Sequence, residues 1–231
     1  MLRRHGPVLL AAFLGLSLLW LAVPRFLAAA LTGPYDQTFR DIAGTAGRPD
    51  LFVPAEQVAA ALKSREQALS WDENGRTRAE LGALELLLAG LIGYDTPQGR
   101  RLLDLAIENH RLALARDPAQ PFAWARFVRA EFARHGVTPN LAPLLRIAIR
   151  TAPREPALVL DRLDVAFYAW ESLDNTTRDL VLEQVRIAAV FYEKRLAEMA
   201  KRHIAWPILD EALKDDERLF RRVGFLYRKA I

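Results

Sequence analysis

The sequence predicts an all-α protein: one N-terminal transmembrane helix followed by a degenerate helical-repeat (α-solenoid) domain. Three observations carry that prediction. An uncharged, mostly apolar run, GPVLLAAFLGLSLLWLAV, lies behind Arg3 and Arg4. Beyond residue 54, apolar residues recur at helical spacing between proline, glycine and capping residues, and no stretch alternates as a half-buried strand does. Helix ends of similar composition then return at a spacing of a few tens of residues, the mark of a stacked array.

The apolar run covers residues 6–23. At 1.5 Å per residue it is about 27 Å long, close to the hydrocarbon thickness of a bilayer. Pro24 and Arg25 close it, and Trp20 suits the far interface. Arg3 and Arg4 favour a cytoplasmic N-terminus, which places the bulk of the chain across the membrane. The rival reading is a cleaved export signal, with Ala28, Ala29 and Ala30 near the processing site. The run is longer than the usual signal core, and Arg25 interrupts the approach to the alanines, so an uncleaved anchor over residues 1–31 is the expectation. A twin-arginine signal has its arginine pair, but the flanking residues do not fit.

Composition excludes several classes. The chain of 231 residues accommodates one ordinary domain with an appendage. A charged fraction of 26% excludes a multi-span membrane protein. With no cysteine there is no disulfide, thiolate metal site or thiol nucleophile. Lys and Arg number 32 against 28 Asp and Glu, a net charge of +4. Arg3, Arg4 and Arg25 lie in residues 1–31, which hold no acid, so the remainder carries 29 against 28. A nearly neutral domain has no concentrated basic face, and no nucleic-acid partner is expected.

Residues 32–53 read as a linker, because Gly33, Pro34, Gly44, Gly47 and Pro49 break any long helix; residues 37–42 suffice for one short turn. Residues 54–231 form the helical domain. Helices are expected over 54–70, 76–92, 97–116, 121–135 and 139–151. Asp95-Thr96-Pro97 and Thr138-Pro139 are start signals, a capping residue followed by proline at the first helical position. Gly93 and Gly136 are stop signals. A sixth helix covers 156–173, a long seventh 175–203, a short eighth starts at Pro207, and an amphipathic one closes the chain over 215–229.

Self-similarity lies at the helix ends. Ala113–Pro118 and Ala148–Pro153 are 35 residues apart, and the related segment at Ala68 lies 45 before the first of them. Ala106, Ala113 and Pro118 sit at small, small and proline positions, with Trp124 following; Ala148 and Pro153 recur in the matching places, and Trp170 comes next. Small residues let paired helices approach, the aromatic fills the gap against the next pair, and proline stops the second helix. This pattern resembles a tetratricopeptide (TPR) array of about two repeats. Val128 and Glu131 stand where that repeat has glycine and tyrosine. A plain helical bundle remains the alternative.

Chemistry is sparsely marked. None of His5, His110, His135 and His203 has a second histidine at ligand spacing, and no phosphate-loop, dinucleotide or serine-elbow motif is present. No cofactor, metal or catalytic residue is therefore assigned. The acids Asp210, Glu211, Asp215, Asp216 and Glu217 fall where helix starts favour them. Phe122, Trp124, Phe127, Phe132, Phe167, Tyr168 and Trp170 are mostly core by spacing. Arg126, Arg129, Arg146 and Arg150 are the candidate interaction residues, set against the default of a solvated helix face.

The stretch from Pro118 to about Arg186 resembles the VpsP-type accessory proteins encoded with exopolysaccharide synthesis and export machinery. The likeness is carried by Arg116-Asp117-Pro118, Pro121-Phe122-Ala123-Trp124, Ala152-Pro153-Arg154-Glu155-Pro156, and then Trp170, Leu173 and Arg178. It implies a TPR-like fold, one membrane anchor, a bacterial inner-membrane location with the helical domain in the periplasm, and a non-enzymatic scaffold with protein partners. The same architecture would serve another envelope machine, such as cytochrome maturation, a pilus or a secretion assembly. A periplasmic glycan-acting enzyme using Asp210, Glu211 and Asp216 is the third reading.

Overall fold

The computed structural model describes residues 2–44 and 54–230. Among these residues there are eleven α-helices, one short 3-10 turn and no strand, so the all-helical class holds.

Helix α1 (Leu2–Gly44) is one continuous rod. Leu10, Phe13, Leu16, Trp20 and Phe26 are all exposed, Trp20 to 82%. Its stretch Leu10–Gln37 is long and apolar enough to cross a membrane. The expected break at Gly33-Pro34 does not occur, which corrects the reading of residues 32–44 as linker. Proline removes one backbone donor and crowds the preceding turn, yet it is tolerated where packing restrains the rod. That restraint starts at the buried Ala28 and continues through Tyr35 and Phe39, which pack on helix α2 (Ala55–Leu69) and helix α3 (Gly75–Ile92) beside Val58, Ala61 and Leu84. The remainder of the expected linker, residues 45–53, lies outside the described residues.

The next elements follow the sequence signals closely. Asn74 caps α3 by accepting from the Thr77 amide at 2.8 Å, and Gly93 ends it at φ 102°, a backbone conformation suited to glycine. Thr96 Oγ1 accepts from the Gly99 amide at 2.9 Å and starts helix α4 (Pro97–Arg116) with proline in its first turn. Helix α5 (Pro121–His135) has the expected bounds. Helix α6 (Leu141–Thr151) starts two residues after Thr138-Pro139, which instead form a turn closed by the Leu141 amide on the Thr138 carbonyl. Helix α7 (Pro156–Ala169) passes into the 3-10 turn Trp170–Ser172.

The long helix expected over 175–203 is two helices, α8 (Asn175–Phe191) and α9 (Glu193–Arg202). Tyr192, at φ −142° and ψ 36°, takes the chain out of the helix, and no glycine or proline marks the place. Packing sets the break. Helix α8 lies against α10 (Trp206–Leu213), whereas α9 lies chiefly against α11 (Glu217–Lys229). Asp216 caps α11 by accepting from the Leu219 amide at 3.0 Å.

Consecutive helices pack as antiparallel hairpins, with α3 on α4, α5 on α6 and α7 on α8; α5 also touches α3 and α7. The closest approach is between α3 and α4. Ala79, Gly82, Ala106 and Ala113 are all buried there. A Cβ at Gly82 would lie 3.0 Å from the His110 ring and 3.1 Å from the Ala106 carbonyl oxygen.

Candidate functional site

The face of α5 carrying Phe122, Arg126 and Arg129 follows helical spacings of four and three. On α7, Asp161, Asp164 and Tyr168 share a face in the same way. The two stripes meet. Arg129 donates to Asp164 at 2.6 Å and lies 3.7 Å from Asp161. Asp164 holds the His203 ring through its other oxygen at 2.9 Å, and that ring stands edge-on to Phe167. Phe132 and Tyr168 extend the strip, with centroids 5.0 Å apart. At the opposite end, Arg126 lies over Phe39 of α1 and Phe122, at 5.9 and 5.8 Å. A polar and aromatic strip thus crosses from the end of α1, over α5 and α7, to the end of α9.

Its electrostatics follow from shared burial. Burial opposes ionisation of Asp164, yet Arg129 and His203 together hold its carboxyl below the usual range. Burial likewise opposes the charge on Arg129, and Asp161 and Asp164 more than compensate. For Arg126 burial wins and lowers its pKa against the pull of Asp161 and Glu80. The Tyr94 hydroxyl is pushed up by burial although 38% of the residue remains exposed.

The structure separates the four candidate arginines. Arg126 and Arg129 lie on this strip. Arg146 lies on α6, partly exposed, 3.7 Å from Asp174, and Arg150 is exposed one turn later. The repeat-position residues are distributed between core and turns. Ala106, Ala113 and Ala148 have no exposed surface. Pro118 accepts through its carbonyl from Trp124 Nε1 at 2.8 Å, and Pro153 accepts from Gln184 Nε2 at 2.6 Å. Trp170 is covered by Arg178, 5.2 Å from the ring centroid.

Of the other candidate acids and histidines, Asp216, Glu217 and His135 have partners within the chain. Asp210, Glu211, Asp215, Asp216 and Glu217 are exposed; Asp216 is the cap described above, and Glu217 pairs with Arg221 at 2.8 Å. His135 lies 3.9 Å from Glu131. Among the described residues no group of three or more His, Cys, Asp or Glu is placed to hold a metal.

Sequence reasoning missed the buried Arg65, Glu85 and Arg162, while His110 is the packed core histidine that its place in the helix suggested. Arg65, with no exposed surface, bonds Asp36 of α1 at 2.9 Å and Glu80 of α3 at 3.3 Å and lies over Phe39. Glu85 is 2% exposed and accepts both its bonds from Asn109, whose Oδ1 accepts from Arg78; burial pushes its carboxyl up to about 7. His110 has no exposed surface and no protein partner on either ring nitrogen, and burial drives its imidazole down to about 3. Arg162 bonds the Ala152 carbonyl and Gln184, and burial lowers its pKa to about 10. The available signal was phase. Arg65 shares the stripe of Val58, Ala61 and Ala68, where an apolar residue is expected.

Comparison with family models, with curated proteins and with solved structures finds no match to this chain.

Proposed function

We propose that the chain is a non-catalytic scaffold, anchored in a bacterial inner membrane by α1, whose helical domain holds partner proteins of exopolysaccharide synthesis or export on the periplasmic side. The observation that carries this reading is the unbroken passage of α1 from an exposed apolar rod into a packed helical stack. Such a rod confines the stack to the membrane surface, and a confined stack raises the local concentration of whatever it holds. The strip across α5 and α7 is the face we assign to the partner: Phe122 and Tyr168 offer apolar area, and Arg129 and Asp164 are already paired, so docking over them desolvates a pair rather than lone ions. The choice of polysaccharide machinery rests on the sequence resemblance over residues 118–186.

Deletion of the gene tests the role, and affinity capture of the detergent-solubilised full chain names the partner. The expected results are reduced exopolysaccharide output and co-purification of polymerising or exporting components. Unchanged output, or capture of a cytochrome, pilus or secretion assembly in their place, overturns the polysaccharide assignment.

A further inference from the structure

The packing of α2 on α1 sets the height of every later element above the membrane. Ser64 Oγ donates to the Leu31 carbonyl at 2.9 Å, and Tyr35 shares a shallow cavity with Glu56, Gln57 and Ala60. Advancing along α1 from Leu31 to Tyr35 therefore retreats along α2 from Ser64 to Ala60, so the two helices are antiparallel and α2 runs back toward the apolar rod. Trp71 lies seven residues beyond Ser64. The Trp71 and Asp72 amides still bond the Ala68 carbonyl, so the chain keeps a helical pitch to that point. Seven residues at 1.5 Å is about 10 Å, and the same distance back along α1 from Leu31 reaches residue 24, where the uncharged run ends.

We infer that the turn between α2 and α3 is a second membrane contact, with the Trp71 indole seated in the headgroup region of the bilayer that α1 spans. This rests on α1 being an anchor. Trp71 is 52% exposed, although it is an aromatic residue in a turn of an otherwise well-packed hairpin. Indoles partition to the interface because the ring is apolar and its N–H remains wet. The charges around it suit that site. Arg25 is exposed at the same height, and Arg76, which pairs with Glu80 at 3.0 Å yet keeps 83% of its side chain exposed, stands at the start of α3. The acids beside the indole are engaged: Glu73 by Arg78 at 2.7 Å and Arg116 at 3.2 Å, Asp72 by Asn74 Nδ2 at 2.9 Å. Two contacts, rod and turn, fix the rotation of the stack about the α1 axis, which a lone rod leaves free.

The chain has no cysteine, so a single introduced cysteine takes one fluorescent probe without background. The full chain carrying Ser70→Cys is labelled and reconstituted in phosphatidylcholine vesicles containing a headgroup-labelled nitroxide lipid. Gln67→Cys, one turn earlier and exposed, is the second site, in case labelling at Ser70 disturbs the turn. Phe26→Cys is the interface reference, Leu18→Cys the reference within the rod, and Asp95→Cys the distal reference, about 27 Å away along α3. The expected result is quenching at 70 and 67 comparable with that at 26 and several-fold above that at 95, reduced when Trp71→Ala is added. Quenching at 70 and 67 no greater than at 95, with position 18 embedded in lipid, overturns the turn contact and leaves the anchor standing. An aqueous probe at position 18 overturns both. Quenching at 70 that is unchanged by Trp71→Ala removes the indole as its cause.

Discussion

Two buried groups on opposite sides of one interface, Glu85 on α3 and His110 on α4, should cancel each other's effect on stability over a defined pH window. Glu85 titrates near 7 in the folded chain against an ordinary 4.5. Between those values the folded state keeps a proton that the unfolded state has lost. Its contribution is complete below 4.5 and declines as pH rises toward 7, at about 1.4 kcal/mol per pH unit. His110 titrates near 3 against an ordinary 6.5. Between those values the unfolded state holds a proton that the folded state refuses. Its contribution is complete above 6.5 and declines as pH falls, at the same rate of about 1.4 kcal/mol per unit. The windows overlap between pH 4.5 and 6.5, where the two slopes have opposite sign. The lowered carboxyls, Glu73, Asp164 and Asp174, act at or below their ordinary values of 4.5 and 3.8 and so stay outside that window.

The perturbation is to remove one member at a time. The groups facing Glu85 are Asn109, Arg78 and the acidic Glu66; those facing His110 are Gly82 and, through its charge, Arg126. None is altered by His110→Leu or Glu85→Gln. Urea unfolding of the full chain in detergent micelles, followed by tryptophan fluorescence, should give a flat profile for the parent across the overlap. His110→Leu should lose up to about 3 kcal/mol as pH rises across it, and Glu85→Gln should gain up to about 3 kcal/mol over the same interval. A flat profile in both variants, or slopes of exchanged sign, refutes the account of this interface.

Two further variants probe the packing beneath the strip. Gly82→Ala should destabilise the chain by about 1–3 kcal/mol, read as a lower thermal midpoint by circular dichroism, because the added methyl meets the His110 ring and the Ala106 carbonyl; His110→Ala added to it should restore part of the loss. Asp36→Ala should cost about 3 kcal/mol in the urea assay by leaving Arg65 half-partnered in the core, whereas the double replacement Asp36→Leu with Arg65→Met should cost less than the single one.

Local signals in the sequence were reliable where the chain itself decides the conformation. Thr96-Pro97 at the start of α4 and Pro121 and Gly136 at the two ends of α5 each act through their own side chain or backbone, and the helices begin and end there; the last helix, expected from 215, starts at Glu217 with Asp216 as its cap. Reading failed where distant contacts decide. Gly33-Pro34 lost to the packing of Tyr35 and Phe39, and Val190-Phe191-Tyr192 carries no breaker although α8 and α9 part at Tyr192 because they serve different neighbours. The strip was half legible. Arg126 and Arg129 were identified by type and helix, but nothing local pairs Arg129 with Asp164, 35 residues further on.

That separation matches the spacing of the sequence self-similarity. Ala113 and Ala148 are also 35 residues apart, and both are fully buried in the second helices of successive hairpins. In stacked hairpins of equal length, equivalent positions of adjacent units meet. A small buried residue tolerates its own copy as a neighbour, so alanine can recur. An arginine does not: a second arginine in place of Asp164 would set two like charges against each other in partly buried surroundings, where they repel with little screening. Arg129 instead faces an acid, Asp164, one interval on, and one interval before Arg129 stands the uncharged Tyr94, whose hydroxyl feels the charges of Arg129, Asp161 and Asp164. Sequence self-similarity therefore survives in the alanine and proline positions that space the helices and vanishes along the strip that joins them.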